Sequence, residues 1–255
     1  MRQYDWDRVS EHYRRHRPGP PQSYYNFLWS LDLGLPGQHV LDIGTGPGLL
    51  ACQFAHQGAK VIGIDISEGQ IEQARLLARS KGLDVLFKIT PAENLSQLDH
   101  SIDLAVANMC WGYLDQPKVL NRLVPQLANP GNLVISSCRW RGSGPAGELS
   151  LKLLGEYGIR IQHAGSTPDQ VPRIDDPRLQ LRASIYYEEP ITFERNSWIR
   201  RLLASKQFSA LSEHQYEVLS KRMHDHFTRH IDEQFDIDHG ISLQIYRHAS
   251  LDTAS

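Results

Sequence analysis

Apolar positions along this chain follow two alternating periods. Short apolar runs rich in β-branched residues occur at Val40–Ile43, Val61–Ile64, Val85–Ile89 and Ile102–Ala107. Runs of that kind, bounded by glycine or polar turns, predict buried strands. A further strand begins over Leu133–Ser136. Between them the spacing is helical, over Ser23–Leu33, Leu49–Gln57, Ser67 to the stop at Gly82, and Gln116–Ala128, which Pro130-Gly131 closes. Ser67 and Gln70 stand at N-cap and N3 of a capping box, and Ile71, Ala74, Leu77 and Ala78 then share one face. Regular alternation of strand and helix predicts an α/β fold: a doubly wound, mostly parallel sheet with helices on both faces. Its ligands belong at the carboxyl ends of the strands.

The alternation stops after Cys138. Residues 139–184 hold glycine, proline and charge without a clear period, too long for a simple loop, and predict a cap or lid. Ile185–Phe193 reads as an edge strand interrupted by Pro190. Ser212–Asp232 predicts a helix capped by Ser212 and Gln215, with Tyr216, Leu219, Met223 and Phe227 on one face. Ile241–Tyr246 is the last expected strand, and residues 249–255 form a tail.

Val40-Leu41-Asp42-Ile43-Gly44-Thr45-Gly46-Pro47-Gly48-Leu49-Leu50 is the most informative segment. Strand, glycine turn and helix in succession bring bare backbone and a helix start to a ligand. The second strand ends in Asp65, 21 residues after Gly44, where an acidic side chain suits ribose hydroxyls. A dinucleotide fingerprint would need glycine at residue 49, which is Leu49; the glycines here are Gly44, Gly46 and Gly48. With Asp42 ahead of them, they resemble motif I of the class I S-adenosylmethionine (SAM) methyltransferases.

The resemblance extends further. Pro91-Ala92-Glu93-Asn94-Leu95 is similar to the family's adenine loop, and Asn108-Met109-Cys110-Trp111 to the end of its fourth strand. Tyr13-x-x-x-Arg17-Pro18 and the pattern around Phe193-Glu194-Arg195 and Trp198-Ile199-Arg200-Arg201 resemble a small-molecule branch that includes trans-aconitate methyltransferases. The resemblance implies a seven-stranded Rossmann-like sheet with a helical cap. It implies SAM as cofactor, S-adenosylhomocysteine as product, and a methyltransferase acting on a small molecule. Residues 1–36 would be a lead-in over the cofactor, 37–138 the SAM-binding core, 139–184 the cap, and 185–248 the elements completing the sheet and the substrate side. The implied cofactor contacts are Tyr13, Arg17, Asp42, Gly44, Thr45, Gly46 and Gly48, then Asp65, Ile66, Gln70, Ala92, Glu93, Asn108 and Met109. Acceptor contacts would come from Trp111, Tyr113, Trp140, Trp198 and Arg200. The branch often has His-Trp after the fourth strand, where this chain has Cys110-Trp111, so no general base carries over.

Composition narrows the picture. The 255 residues are 40% hydrophobic and 22% charged, the balance of a soluble globular protein. A net charge of −2 offers no general attraction to nucleic acid or anionic membrane. Three cysteines without a CxxC argue against a disulfide framework. The first 17 residues hold no apolar signal core and no run reaches membrane length, so the expected location is cytoplasmic. His224, His226 and His230 invite a metal reading, with His226 and His230 at i, i+4, but no other ligand is identifiable and no metal is expected. Arg139, Arg141, Arg195, Arg200 and Arg201 lie in or near the cap, where one or two could pair with an acidic acceptor. Three other readings stay open: an RNA methyltransferase, a SAM-binding module without catalysis, and a methyltransferase fold using SAM for another purpose. A DNA amino-methylating enzyme would show an Asp/Asn-Pro-Pro-Tyr-like tetrad where this chain has Asn108-Met109-Cys110-Trp111.

Overall fold

The computed structural model describes residues 19–161, 173–203 and 211–249. Tyr13, Arg17 and the tail expectation lie outside the described residues. Strands β1 (His39–Ile43), β2 (Lys60–Asp65), β3 (Val85–Ile89), β4 (Ile102–Asn108) and β5 (Leu127–Trp140) run parallel. β7 (Gln234–His248) lies antiparallel to both β5 and β6 (Leu179–Glu194). The seven strands form one sheet in the order β3-β2-β1-β4-β5-β7-β6.

A parallel sheet must be covered on both faces. Side chains on successive strand positions point to opposite sides, so Val40, Leu104, Val106 and Val134 enter one core, and Leu41, Ile43, Ala105 and Leu133 enter the other. Helices α1 (Gln22–Ser30), α2 (Leu49–His56) and α3 (Glu68–Ser80) cover the first face through Leu28, Phe54 and Ile71. Helix α4 (Gln116–Leu123) covers the second through Val119, Leu120 and Leu123. A third core lies among α5 (Gly144–Gly155), α6 (Arg195–Leu203) and α7 (Glu213–His230). Trp198, Met223 and Phe227 pack there against Phe193 and Ile237 of the two last strands.

Four sequence expectations change. The first helix stops at Ser30 rather than Leu33. The helix expected over Gln116–Ala128 ends at Leu123 and tightens into a 3-10 turn over Val124–Gln126. Pro125 lacks the N–H that would continue the α ladder, and β5 already begins at Leu127. The region 139–184 is not uniformly cap: β5 runs on to Trp140, α5 occupies its first part, and β6 starts at Leu179. Pro190 does not interrupt β6, which pairs with β7 from Leu179 to Glu194. β6 is the sheet edge, where a residue without an N–H costs no ladder bond on the open side.

Ser212 makes the complete capping box expected of it. Its Oγ accepts from the Gln215 amide at 3.2 Å, and Gln215 Oε1 accepts from the Ser212 amide at 2.9 Å. Ser212→Ala is expected to cost about 1 kcal/mol of stability, read as a lower urea midpoint at unchanged slope.

Candidate functional site

The turn after β1 passes through Gly44, Gly46 and Gly48 with φ of 64°, 54° and 79°. Their surroundings differ. A Cβ on Gly44 would lie 2.8 Å from Cys110 Cβ, and one on Gly48 would lie 2.9 Å from Ala74 Cβ. A Cβ on Gly46 would meet only Gln70 Oε1, at 3.9 Å. Gly44 and Gly48 therefore permit packing, whereas Gly46 exposes backbone to open space.

Two carboxylates hold this turn. Asp42 is buried and accepts from Thr45 Oγ1 at 2.6 Å. Burial pushes its carboxyl up to about 7; the Thr45 hydroxyl opposes the rise and the charge of Asp65 adds to it. Asp65, half-buried at the end of β2, accepts from the Gly46 amide through Oδ2 and from the Ser67 amide through Oδ1, both at 2.9 Å. Ser67 then caps α3 by accepting from the Gln70 amide at 3.1 Å. Beside this carboxylate, Ile66 is 53% exposed, and Ile89 at the end of β3 is also exposed. Ala92 is buried in a 3-10 turn, and Glu93 next to it accepts from the Asp115 amide at 2.9 Å.

The end of β4 is equally constrained. Met109 adopts φ 64°, unusual for a non-glycine residue. Its amide donates to Ser136 O at 2.9 Å, and its sulfur accepts from the Cys138 amide at 3.2 Å. Such a conformation costs about 1–3 kcal/mol and gathers at functional sites. Asn108 Oδ1 accepts from Ser136 Oγ at 3.1 Å, and Ser136 Oγ also bonds the buried Tyr24 hydroxyl at 3.0 Å. Burial raises the Tyr24 hydroxyl well above its ordinary range. Cys110 donates to Ile43 O at 3.1 Å, and burial raises its thiol likewise, which leaves it a packing residue rather than a nucleophile.

A cavity opens beside the turn. Asp42, Gly44, Thr45, Gly46, Asn108 and Met109 border it, all of them expected site residues. Pro47, Leu49 and Leu50 of the turn and α2 also border it, and Gly19, Pro20, Cys138, Ile191, Arg201 and His239 complete its border. Gly48, Asp65, Ile66, Gln70, Ala92 and Glu93 lie around the turn and the neighbouring strand ends but not on the cavity wall.

The residues expected to meet the acceptor lie apart from this cavity. Trp111, Tyr113, Trp140, Trp198 and Arg200 do not border the cavity. Trp111 is buried under the sheet among Leu41, Ala107 and Val119, and Tyr113 is 65% exposed. Trp198 is sealed in the third core, its Nε1 donating to Ser150 Oγ at 2.9 Å. Trp140 packs edge-on against it at 5.2 Å. Arg200 faces solvent, and its neighbour Arg201 borders the cavity. One residue of helix turns a side chain by about 100°, which sequence spacing could not orient without the cap's packing. The one signal for His239 in the sequence is its place between Ile237 and Ile241, a polar member of an otherwise apolar strand face.

A seven-stranded sheet in this order, with a glycine turn after β1 and an acid after β2, defines a Rossmann-like fold of the class I methyltransferase type. The methyltransferase domain family matches residues 35–163, just over half of the chain, and the chain belongs to that family. Its curated relatives include a ubiquinone biosynthesis O-methyltransferase of Ruegeria pomeroyi, 35% identical over 101 residues, covering 40% of this chain and 41% of the relative. Another, of Aeromonas salmonicida, is 28% identical over 162 residues, 63% of this chain and 66% of the relative. The match thus spans between two fifths and two thirds of these relatives' length. A SAM-dependent methyltransferase from Geobacter sulfurreducens, solved with S-adenosyl-L-homocysteine, shares the fold with TM-score 0.52 and 19% identity, over 94% of this chain and 96% of that one.

Asp42 generates a pH signature. Its folded pKa lies above the unfolded value of about 3.9, so its contribution is fully present below that value and is lost as pH rises through about 7. Between pH 4 and 8 the wild type is expected to lose stability relative to Asp42→Asn, by at most roughly 4 kcal/mol. Urea unfolding of both proteins across that range measures it, and parallel curves would remove the buried-acid account.

Proposed function

We propose that this protein transfers the methyl group of SAM to a small acidic molecule. The supporting observation is the continuous cavity, which runs from the glycine turn and the end of β4 to Arg201 on α6. The residues present suit SAM: bare backbone at Gly46, a carboxylate at the end of β2, and an exposed apolar side chain beside it. Asp65 would accept the ribose hydroxyls, Ile66 and Ile89 would cover the adenine, and Glu93 would meet its exocyclic amine. Asn108 and Met109 would hold the methionine end. Residues 37–138 would then supply the cofactor side and the elements after them the acceptor side.

When bound, SAM supplies a methyl group on a positively charged sulfur that leaves as a neutral thioether. The protein's task is then chiefly to align the acceptor, an effect for which about 7–11 kcal/mol is available. An oxygen acceptor agrees with the O-methyltransferase names of the curated relatives. Arg201 is a cation on the cavity wall, and it favours an acid. Among the described residues no helix is long and apolar enough to cross a membrane, which accords with a small polar acceptor reached from water.

Calorimetry is expected to show binding of SAM and S-adenosylhomocysteine and none of NAD; tighter binding of NAD would refute the cofactor. Asp65→Ala should weaken S-adenosylhomocysteine by about 10- to 150-fold, the equivalent of about 1.5–3 kcal/mol for charge-assisted hydrogen bonds. Gly46→Val should abolish binding while the circular dichroism spectrum stays that of the wild type. Incubation with methyl-labelled SAM and a metabolite extract should label a small acid. Label in RNA, or none, would replace this acceptor reading with a nucleic-acid or a non-transferring one.

A further inference from the structure

Arg201 and His239 form a built pair on the cavity wall. The border passes from Met109 at the end of β4 to Cys138 on β5, His239 on β7 and Ile191 on β6, with Arg201 of α6 beside them. Arg201 is 8% exposed and His239 fully buried. The Arg201 guanidinium carbon lies 5.1 Å from the Phe193 ring centre and 5.2 Å from that of Trp198. Trp198 is itself pinned through Ser150, whose hydroxyl donates to Ala146 O at 2.6 Å. The His239 ring stacks on Phe193 at 5.8 Å and 22°. The cation thus sits in a rigid aromatic socket, and the socket opens onto the same cavity as the glycine turn.

The hydrogen bonds assign the histidine a role. His239 Nδ1 lies 2.8 Å from Ile237 O. A carbonyl only accepts, so Nδ1 carries the proton. Nε2 lies 3.0 Å from Arg201 Nη1, and a guanidinium only donates, so Nε2 receives through its lone pair. The two contacts together specify one neutral tautomer. A proton on Nε2 would set donor against donor and add a second buried positive charge, which is costly. His239 is therefore poorly placed as a base while Arg201 is held, and well placed to aim one edge of the guanidinium.

We propose that Arg201 selects the acceptor by binding an ionised carboxylate of it, and that His239 is the positioning residue that orients Arg201. The proposal rests on the methyltransferase reading and adds the residue and the chemical group that decide which acid enters. Neither Trp198 nor Arg200 takes that part: the first builds the socket and the second faces solvent.

The test uses the full chain saturated with S-adenosylhomocysteine. Benzoate, 4-hydroxybenzoate and tricarballylate are titrated by calorimetry beside the corresponding amides. The wild-type complex should bind at least one acid about tenfold or more tightly than its amide, as a charge-assisted pair allows. Arg201→Leu should erase that preference, and Arg201→Lys should lose about tenfold because the planar fork is gone. His239→Gln keeps an acceptor for Arg201 and should retain acid affinity within about threefold, whereas His239→Phe should fall to the level of Arg201→Leu. S-adenosylhomocysteine affinity should stay at the wild-type value in all four. If Arg201→Leu fails to fold, Arg201→Lys carries the comparison. Equal binding of acids and amides by the wild type, or an acid preference that survives both arginine variants, overturns the selector role. Equal behaviour of His239→Gln and His239→Phe overturns the positioning role. Failure of the wild type to bind S-adenosylhomocysteine strikes the methyltransferase reading instead and is seen before any acid is added.

Discussion

One carboxylate ties the cofactor side of this protein together. Asp65 receives the Gly46 amide on one oxygen and the Ser67 amide on the other, so the turn after β1 and the start of α3 hang from the end of β2. The Thr45 amide reaches Ile64 O at 2.9 Å in the same place, and the Thr45 hydroxyl reaches Asp42 below. Gly63 is small for the same reason: a Cβ there would lie 2.8 Å from both Thr45 Oγ1 and the Phe87 ring. A turn fastened at so many points can leave Gly46 bare without collapsing onto it.

That fastening also explains what a reader of the sequence can and cannot see. Strands β1 to β4, the turn and both serine caps are local features, each written in a contiguous stretch with its own period or punctuation. The sheet edge is not local. Pro190 looks like a break until β6 is known to be outermost, and Leu127–Asn132 looks like a helix end until β4 is seen to take it as a strand. The cap is harder still. α5 begins Gly-Pro-Ala-Gly, a composition that reads as loop, and it owes its burial to Leu153 and Leu154 meeting α6 and α7.

The candidate site divides along the same line. Asp42, Thr45, Gly46, Asn108 and Met109 are legible because the glycine turn and the strand ends fix them. Arg201 and Trp198 are not, because their environments depend on which face of α6 meets a core assembled from three separated helices and two strands. A tryptophan near a cluster of arginines suggests a binding surface from sequence alone. Here the tryptophan is the wall behind one arginine, and its indole N–H is spent on Ser150.

The charges along the cavity have a consequence for the order of events. At one side, behind the turn, stands Asp65; at the other stands Arg201. On the reading proposed above, a positively charged donor would be favoured on the acidic side and an anionic acceptor on the basic side. Under the proposed function, transfer of the methyl group from sulfur to such an acceptor would cancel charge, and the products would lose much of the attraction that held the reactants. A neutral His239, as its two hydrogen bonds suggest, would sharpen this arrangement. A second cation beside Arg201 would hold an acid more tightly but would repel the positively charged donor. An uncharged hydrogen-bond acceptor in that position aims the arginine without adding to the field.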